Sequence, residues 1–262
     1  MLSLQVLCHA HWSERHYTDK EPPMTNTASH IGKKALIMFS GGQDSATCLA
    51  WACHHFDYVE TVGFDYGQRH SVEMHSRGVV LSQMRTQFPQ WSDTIGDDHI
   101  VDLTALGQIS ETSLTRDVAI TINETGLPST FVPGRNLIFL NFAAALGFRR
   151  GLTTLIGGMC EADFSGYPDC RKETLDAQMK AISLGMDKPY RLETPLMTVS
   201  KAGAWDLAED FGGDPLIELI LEHTHTCYMG TRGERYAWGY GCAACPACEL
   251  RANGWNEYRR GL

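Results

Sequence analysis

The twelve residues Lys34-Ala35-Leu36-Ile37-Met38-Phe39-Ser40-Gly41-Gly42-Gln43-Asp44-Ser45 decide the architecture. Ala35–Phe39 is a short, unbroken apolar run, which reads as a strand buried on both faces. SGGQDS then turns the chain into a helical stretch that reaches about His55. The same beat continues outward. Val59–Tyr66 reads as a second strand, and Ser71–Phe88 as a helix with Val80, Met84 and Phe88 on one face. His99–Leu103 is a third strand, Asn136–Arg150 an apolar helix and Thr153–Met159 a fourth strand. Arg171–Leu184 and Ser200–Phe211 are further helices, the last with Ser200 placed to cap its start and Gly212 its end. Strands alternating with helices of this length predict an α/β fold: a parallel sheet covered by helices on both faces. Ligands of such sheets bind beyond the carboxyl ends of the strands. SGGQDS (40–45), DYGQRH (65–70) and GGMCEADFSGYPDCR (157–171) therefore share one rim. Residues 104–130 are polar and turn-rich, and read as either a lid or a passive surface insertion.

The SGGQDS turn has the chemistry of a phosphate loop. Its glycines let the backbone bring N–H groups close to an anion, and the following helix adds unpaired N–H groups and the positive end of its dipole. Ser40 and Ser45 can add hydroxyl donors. Asp44 would repel a bare phosphate, so it implies a cation such as Mg²⁺ or a capping role. The pattern is not Walker A, because no G-x4-G-K-[ST] is present. In the second rim loop, Glu161, Asp163 and Asp169 offer carboxylates suited to paired donors of a guanine-like base. Arg171 suits a carboxylate, and Phe164 or Tyr167 can stack on a flat ring. A solvated acidic loop, with Asp169 near a helix start, is the bland alternative.

Nine cysteines divide into five scattered singles and a terminal cluster, Cys227-x14-Cys242-x2-Cys245-x2-Cys248. Four thiolates suit a closed, tetrahedral, structural Zn²⁺ site that clamps the tail to the core. An iron–sulfur cluster is the weaker alternative, since Pro246 follows the middle cysteine of the run rather than its last. His223 and His225 nearby read as supporting or surface groups. The net charge of −9 argues against a protein that grips nucleic acid, which needs a cationic footprint. No apolar run approaches the ~20 residues of a membrane span, and the first residues lack the pattern of a signal peptide. The expected address is cytoplasmic. Residues 1–32 read as a disordered tail, in which Met24 would also serve as a start. Residues 33–215 read as the nucleotide-binding α/β domain, and 216–262 as a zinc module packed on it.

The phrases FSGGQDSATCLA (39–50), DYGQRH (65–70), FVPGRN (131–136), GGMCEADFSGYPDCR (157–171), TPLMTVSKAGAW (194–205) and GCAACPACELR (241–251) together resemble the 7-cyano-7-deazaguanine synthase (QueC) family. That family lies within the PP-loop ATP pyrophosphatases, and the resemblance runs from about Lys34 to the C-terminus. It implies a carbon–nitrogen ligase of queuosine biosynthesis that uses ATP, Mg²⁺ and ammonia to turn 7-carboxy-7-deazaguanine into the nitrile through adenylated carboxylate and amide. It further implies ATP contacts along Phe39, Ser40, Gly41, Gly42, Gln43, Asp44, Ser45, Ala46, Thr47, Cys48 and Leu49. Asp44, Arg135 and Lys201 become the catalytic candidates. Gln68, His70, Glu161, Asp163, Tyr167 and Arg171 become the substrate candidates, and Cys227, Cys242, Cys245 and Cys248 the zinc ligands. The resemblance also suggests a homodimer. Another PP-loop enzyme, such as a tRNA thiolase or a relative acting on a macromolecule, is the alternative, and the acidic charge speaks against it.

Overall fold

A computed structural model describes residues 32–69, 72–124, 126–161 and 167–261. The expectations for the tail, His70, Asp163 and Phe164 therefore lie outside the described residues. The chain enters β1 (Lys34–Met38), α1 (Gln43–His55), β2 (Tyr58–Asp65), α2 (Val72–Gln87), the single turn α3 (Pro89–Ser92) and β3 (Ile95–Asp102). It continues through α4 (Thr104–Ile109), α5 (Arg135–Arg150), β4 (Thr154–Ile156), α6 (Lys172–Gly185), β5 (Arg191–Glu193) and α7 (Lys201–His223). It ends in a small ribbon, β6 (Arg235–Tyr236) and β7 (Gly239–Tyr240), and α8 (Pro246–Tyr258).

The five long-sheet strands lie in the order β3-β2-β1-β4-β5, every neighbour parallel. The order proceeds outward from β1 on one side and from β4 on the other, so the topological switch falls between β1 and β4. β1 is at the centre because Ala35, Leu36 and Ile37 are fully buried and pair on both edges. Alternate residues feed opposite faces. Ala35 and Ile37 join the core under α1, α2, α7 and α8, whereas Leu36 joins Val62 and Leu155 under α5 and α6.

Two strands depart from the sequence reading, for the same reason. β3 starts at Ile95 rather than His99, and β5 was not expected at all. Both are edge strands rich in charge, so they lack the apolar run that marks a buried strand. The polar residues of β3 are tied down by ion pairs. Arg150 and His99 both bond to buried Glu60, Arg150 Nη2 at 2.7 Å from Oε1 and His99 Nε2 at 2.7 Å from Oε2. Burial raises the Glu60 pKa, but these two partners outweigh it and hold the carboxyl below its usual range. Buried Arg77 of α2 pairs with Asp98 and donates from Nε to the Phe39 carbonyl at 2.8 Å. That bond fixes the exit of β1 into the phosphate loop.

Residues 104–130 open with α4 and then fold on themselves through buried hydroxyls. Thr115 Oγ1 bonds the Ser110 carbonyl at 2.8 Å, and Ser113 N–H donates to the Ser129 carbonyl at 2.9 Å. Helix α7 is longer than expected. Its capping serine behaves as read, with Ser200 Oγ accepting from Gly203 N–H at 3.1 Å. The helix then breaks at Gly213 (φ 61°, ψ −163°) and resumes behind Pro215. The Gly–Pro signal is a kink there rather than a stop, because Leu216, Ile217 and Ile220 go on packing into the core. No helix among the described residues is long and apolar enough to cross a membrane.

Candidate active site

A cavity of about 330 Å³ opens at the switch between β1 and β4. Parallel α/β topology aims the start of each crossover helix at this rim. The first turns of five helices reach it: Gln43 and Asp44 of α1, Glu73 of α2, Arg135 of α5, Lys201 of α7 and Ala247 of α8. Helix N-termini concentrate partial positive charge, so their convergence suits a polyanion.

The phosphate loop is held by its own bonds. Ser45 Oγ accepts from Gly41 N–H at 3.1 Å and lies 3.2 Å from Ser40 Oγ, while donating to the Gly42 carbonyl at 3.0 Å. Ser40 Oγ accepts from Gly42 N–H at 3.3 Å. The serines thus shape the loop, beyond the donor role read from sequence. Gly41 sits at φ +84°, and a Cβ there would stand 2.6 Å from the Arg77 Cα. A left-handed conformation costs a non-glycine residue ~1–2 kcal/mol before any clash. Gly41→Ala is therefore expected to lower stability by about 2–4 kcal/mol in urea unfolding, with overpacking added to strain.

Asp44 faces the cavity, and its charge is met within the chain. Lys201 Nζ lies 2.8 Å from Oδ2 and 3.1 Å from Oδ1. The stem of Lys201 is clasped by α8, where a Cβ at Gly254 would come within 2.6 Å of Lys201 Cγ. Lys201, in the first turn of α7, is thus directed to the carboxylate of the phosphate loop.

Arg135 follows Gly134, whose left-handed φ of 70° starts α5 abruptly at the rim. Its guanidinium is 5.7 Å from the Tyr66 ring centroid and 6.0 Å from that of Tyr167, with Nη1 3.5 Å from Tyr66 Oη. Cations over aromatic faces are held by the ring quadrupole. Burial pushes the Tyr66 hydroxyl up to about 12, only partly offset by Arg135, so the phenol stays neutral at physiological pH. Tyr167 Oη bonds Thr130 Oγ1 at 2.5 Å and Tyr228 Oη at 3.4 Å, closing a hydroxyl chain behind the arginine.

Two carboxylates of the acidic loop after β4 are engaged at helix starts. Asp169 is buried, and its Oδ2 accepts from Asn136 N–H at 3.0 Å, which caps α5 beside Arg135. Glu161 is exposed and accepts from Lys172 N–H at 3.3 Å at the start of α6. Arg171 is also exposed, at the N-cap of α6. Neither is among the residues that line the cavity, so the structure does not bring Glu161 and Arg171 together with Asp44, Arg135 and Lys201 there. Tyr167 and Gln68 do line it, though Gln68 Oε1 already accepts from Tyr66 N–H at 3.0 Å. Phe39, Ser40, Gly42, Gln43, Asp44 and Ser45 face the cavity, with Gly41 forming the turn between them. Ala46, Thr47, Cys48 and Leu49 do not. They are at most 1% exposed inside α1 and serve the core.

The four terminal cysteines converge, their sulfurs all within 4.8 Å of one another. Cys242 and Cys248 sulfurs are 3.9 Å apart. That is far longer than a disulfide (~2.05 Å), and matches the edge of a tetrahedron with metal–sulfur bonds of about 2.3 Å, roughly 3.8 Å. Cys242 Sγ also accepts from Cys245 N–H at 3.3 Å. Hydrogen bonds from the neighbouring thiols Cys245 and Cys248 and from the Thr231 and Met229 amides favour a thiolate at Cys227. The donor set therefore fits a four-coordinate, thiolate-bound metal ion.

The residues that link this cluster to the cavity are His225, read above as a supporting or surface group, and Arg251. His225 is 2% exposed and lines the cavity, and its backbone N–H donates to the Gly41 carbonyl at 3.3 Å. Its Nε2 lies 3.1 Å from the Cys227 carbonyl, and among the described residues Nδ1 has no partner, nor does Nε2 of buried Gln43, which lines the same cavity. Fully buried Arg251 of α8 bonds Thr224, Thr226, Ile220 and Trp238. Only spacing to Cys227 singled out His225 in the sequence, and nothing singled out Arg251.

Comparison with known proteins agrees with this arrangement. Residues 34–259 match the family model described as queuosine biosynthesis protein QueC. A 7-cyano-7-deazaguanine synthase of Paracidovorax citrulli is 62% identical over 220 residues, covering 84% of this chain and 94% of that protein. One of Polaromonas naphthalenivorans is 59% identical over 235 residues, covering 90% of this chain and 98% of its own. Another, of Nitrobacter hamburgensis, is 57% identical over 232 residues, covering 88% and 98%. With a parallel sheet, a glycine-turned phosphate loop at its switch point and a four-cysteine cluster behind it, the chain belongs to the QueC family.

Proposed function

We propose that this chain is an ATP-dependent carbon–nitrogen ligase that converts 7-carboxy-7-deazaguanine and ammonia into 7-cyano-7-deazaguanine for queuosine biosynthesis. The observation that carries the reading is the meeting of a phosphate-loop backbone, an Asp44–Lys201 pair and the tyrosine-held Arg135 in one cavity. A carboxylate oxygen is a poor leaving group. Attack of the substrate carboxylate on the α-phosphorus of ATP releases pyrophosphate and gives an acyl adenylate. Ammonia then adds to the acyl carbon, AMP leaves, and a proton is lost to give the amide. A second adenylation, on the amide oxygen, releases another pyrophosphate. Loss of AMP and the remaining N–H protons forms the C≡N bond.

The chain's part is to orient and to stabilise charge. The loop amides and the α1 dipole hold the pyrophosphate. Lys201 and Arg135 face the negative charge that accumulates on the transferring phosphoryl group, a contribution that grows in the transition state. Asp44, besides directing Lys201, would hold Mg²⁺, which would offset the negative charge of the phosphates. Tyr167 and Gln68 flank the acid substrate, and Ser40, Gly42 and Gln43 the nucleotide. The metal at Cys227, Cys242, Cys245 and Cys248 is zinc: four sulfurs suit its tetrahedral shell, and the closed set leaves no open position for catalysis. The acidic chain acts on small molecules in the cytoplasm without gripping nucleic acid. A homodimer would cover exposed Phe142 and Phe148 of α5 and Leu184 of α6.

One assay tests the assignment. Protein, ATP, Mg²⁺, ammonium and 7-carboxy-7-deazaguanine are mixed, and products are followed by mass. The expected products are the nitrile, AMP and pyrophosphate. Appearance of ADP, or amide accumulation with no nitrile, would contradict the reading.

A further inference from the structure

Two carboxylates line the cavity among the described residues, Asp44 and Glu73. Asp44 is committed to Lys201. Glu73, in the first turn of α2, makes no hydrogen bond or ion pair with any described residue, although it is partly buried. Its accessible surface opens on the cavity it lines. Burial raises its pKa, partly countered by Arg135, the one charged group that acts on it strongly. Among the described residues neither is in an ion pair, so a carboxylate and a guanidinium share the walls of one cavity without meeting each other. Tyr66 and Tyr228 lie within electrostatic reach of both and line the same cavity, adding flat apolar surface to its walls.

That arrangement is complementary to a ligand that is itself divided: flat, anionic at one end, and carrying two adjacent N–H donors at the other. A lone carboxylate left unpaired in a low-dielectric site is costly, and a partner with two parallel donors satisfies both its oxygens. We propose that Glu73 is the specificity-determining residue for the heterocycle, accepting hydrogen bonds from the ring N–H and exocyclic amine of a 2-amino-4-oxo (guanine-type) edge. The proposal rests on the functional reading above and replaces the exposed Glu161 in that role. The ligand's carboxylate then points to Arg135, where it meets the α-phosphate. The same geometry rejects an adenine-type base, whose ring nitrogen is an acceptor and would face a carboxylate oxygen.

The test pairs a variant with an altered substrate. Glu73→Gln replaces one acceptor by a donor at constant shape. It is expected to lower kcat/KM for the carboxy-deazaguanine by at least about a hundredfold, mainly through KM, while KM for ATP stays within about twofold. On the unmodified protein, an analogue lacking the exocyclic amine is expected to lose at least about a hundredfold in kcat/KM, and Glu73→Gln should shrink that discrimination to about tenfold or less. A raised KM for ATP with an unchanged KM for the acid would overturn the proposal, placing Glu73 on the nucleotide. Equal use of the analogue and parent acid by the unmodified protein would also overturn it, without need of any variant. Failure of the unmodified protein to bind the acid by calorimetry, or to form AMP from it, would instead sink the functional reading and this proposal together.

Discussion

Replacing Lys201 with Met is expected to reduce turnover by about a hundred- to a thousandfold, the range found when one preorganised charge-stabilising donor is removed. KM for ATP should move by less than about tenfold if, as proposed, ground-state phosphate binding rests on the loop amides and the α1 terminus. The stem of Lys201 packs under Gly254 of α8, and Met preserves that apolar stem. Its ammonium is 2.8 Å from an Asp44 carboxylate that is about one-third exposed. Water screens such a carboxylate once its partner is lost, so the stability change is expected to stay within about 1 kcal/mol. Metal content should not change. The measurement is AMP release under saturating substrates, beside a thermal melt of the same preparation. Activity within about threefold of the unmodified protein would reduce Lys201 to a structural partner of Asp44. Lys201→Arg is expected to recover only part of the loss, since a planar fork does not reproduce a point charge at this distance.

Metal removal should act on the nucleotide site from behind. An ion held by Cys227, Cys242, Cys245 and Cys248 would fix the segment from Thr224 into α8, and that segment supplies three supports. His225 N–H bonds the Gly41 carbonyl at 3.3 Å, α8 clasps Lys201 at Gly254, and Arg251 ties Ile220, Thr224, Thr226 and Trp238 together. Burial pushes the Arg251 guanidinium down to about 10, which leaves it charged at physiological pH but dependent on those four partners. Four thiolates crowded without a cation repel or must take up protons, and structural zinc commonly contributes on the order of 10 kcal/mol to the folding of such a segment. Chelation, or Cys245→Ser, is expected to lower the melting temperature by more than about 10 °C. ATP affinity is expected to fall by at least tenfold, about 1.4 kcal/mol. Metal analysis, calorimetry with ATP and a thermal melt on one sample check this. Metal-free protein that binds ATP as tightly as metal-loaded protein would show that the cluster supports only its own tail.

The sequence by itself determined the parallel α/β class, the place of the phosphate loop after β1 and the four-cysteine set. Each of these depends on local patterns. An unbroken apolar run can be satisfied only by burial on both faces, a glycine turn by a left-handed backbone, and closely spaced thiols by a shared ion. The first half of edge strand β3 and the whole of β5 escaped because both are charged, and β3 is tied down by Glu60 and Arg150 rather than marked by an apolar run. The fate of individual polar side chains was likewise illegible. Asp169 and Glu161 have the same charge and lie in the same loop as a substrate reader would, yet both cap helices. Glu73 and His225, which carried no motif of their own, face the cavity. Only the tertiary structure decided this, because a side chain's role depends on which unpaired donor or acceptor the packed elements leave opposite it, and residues far apart in sequence set that pairing.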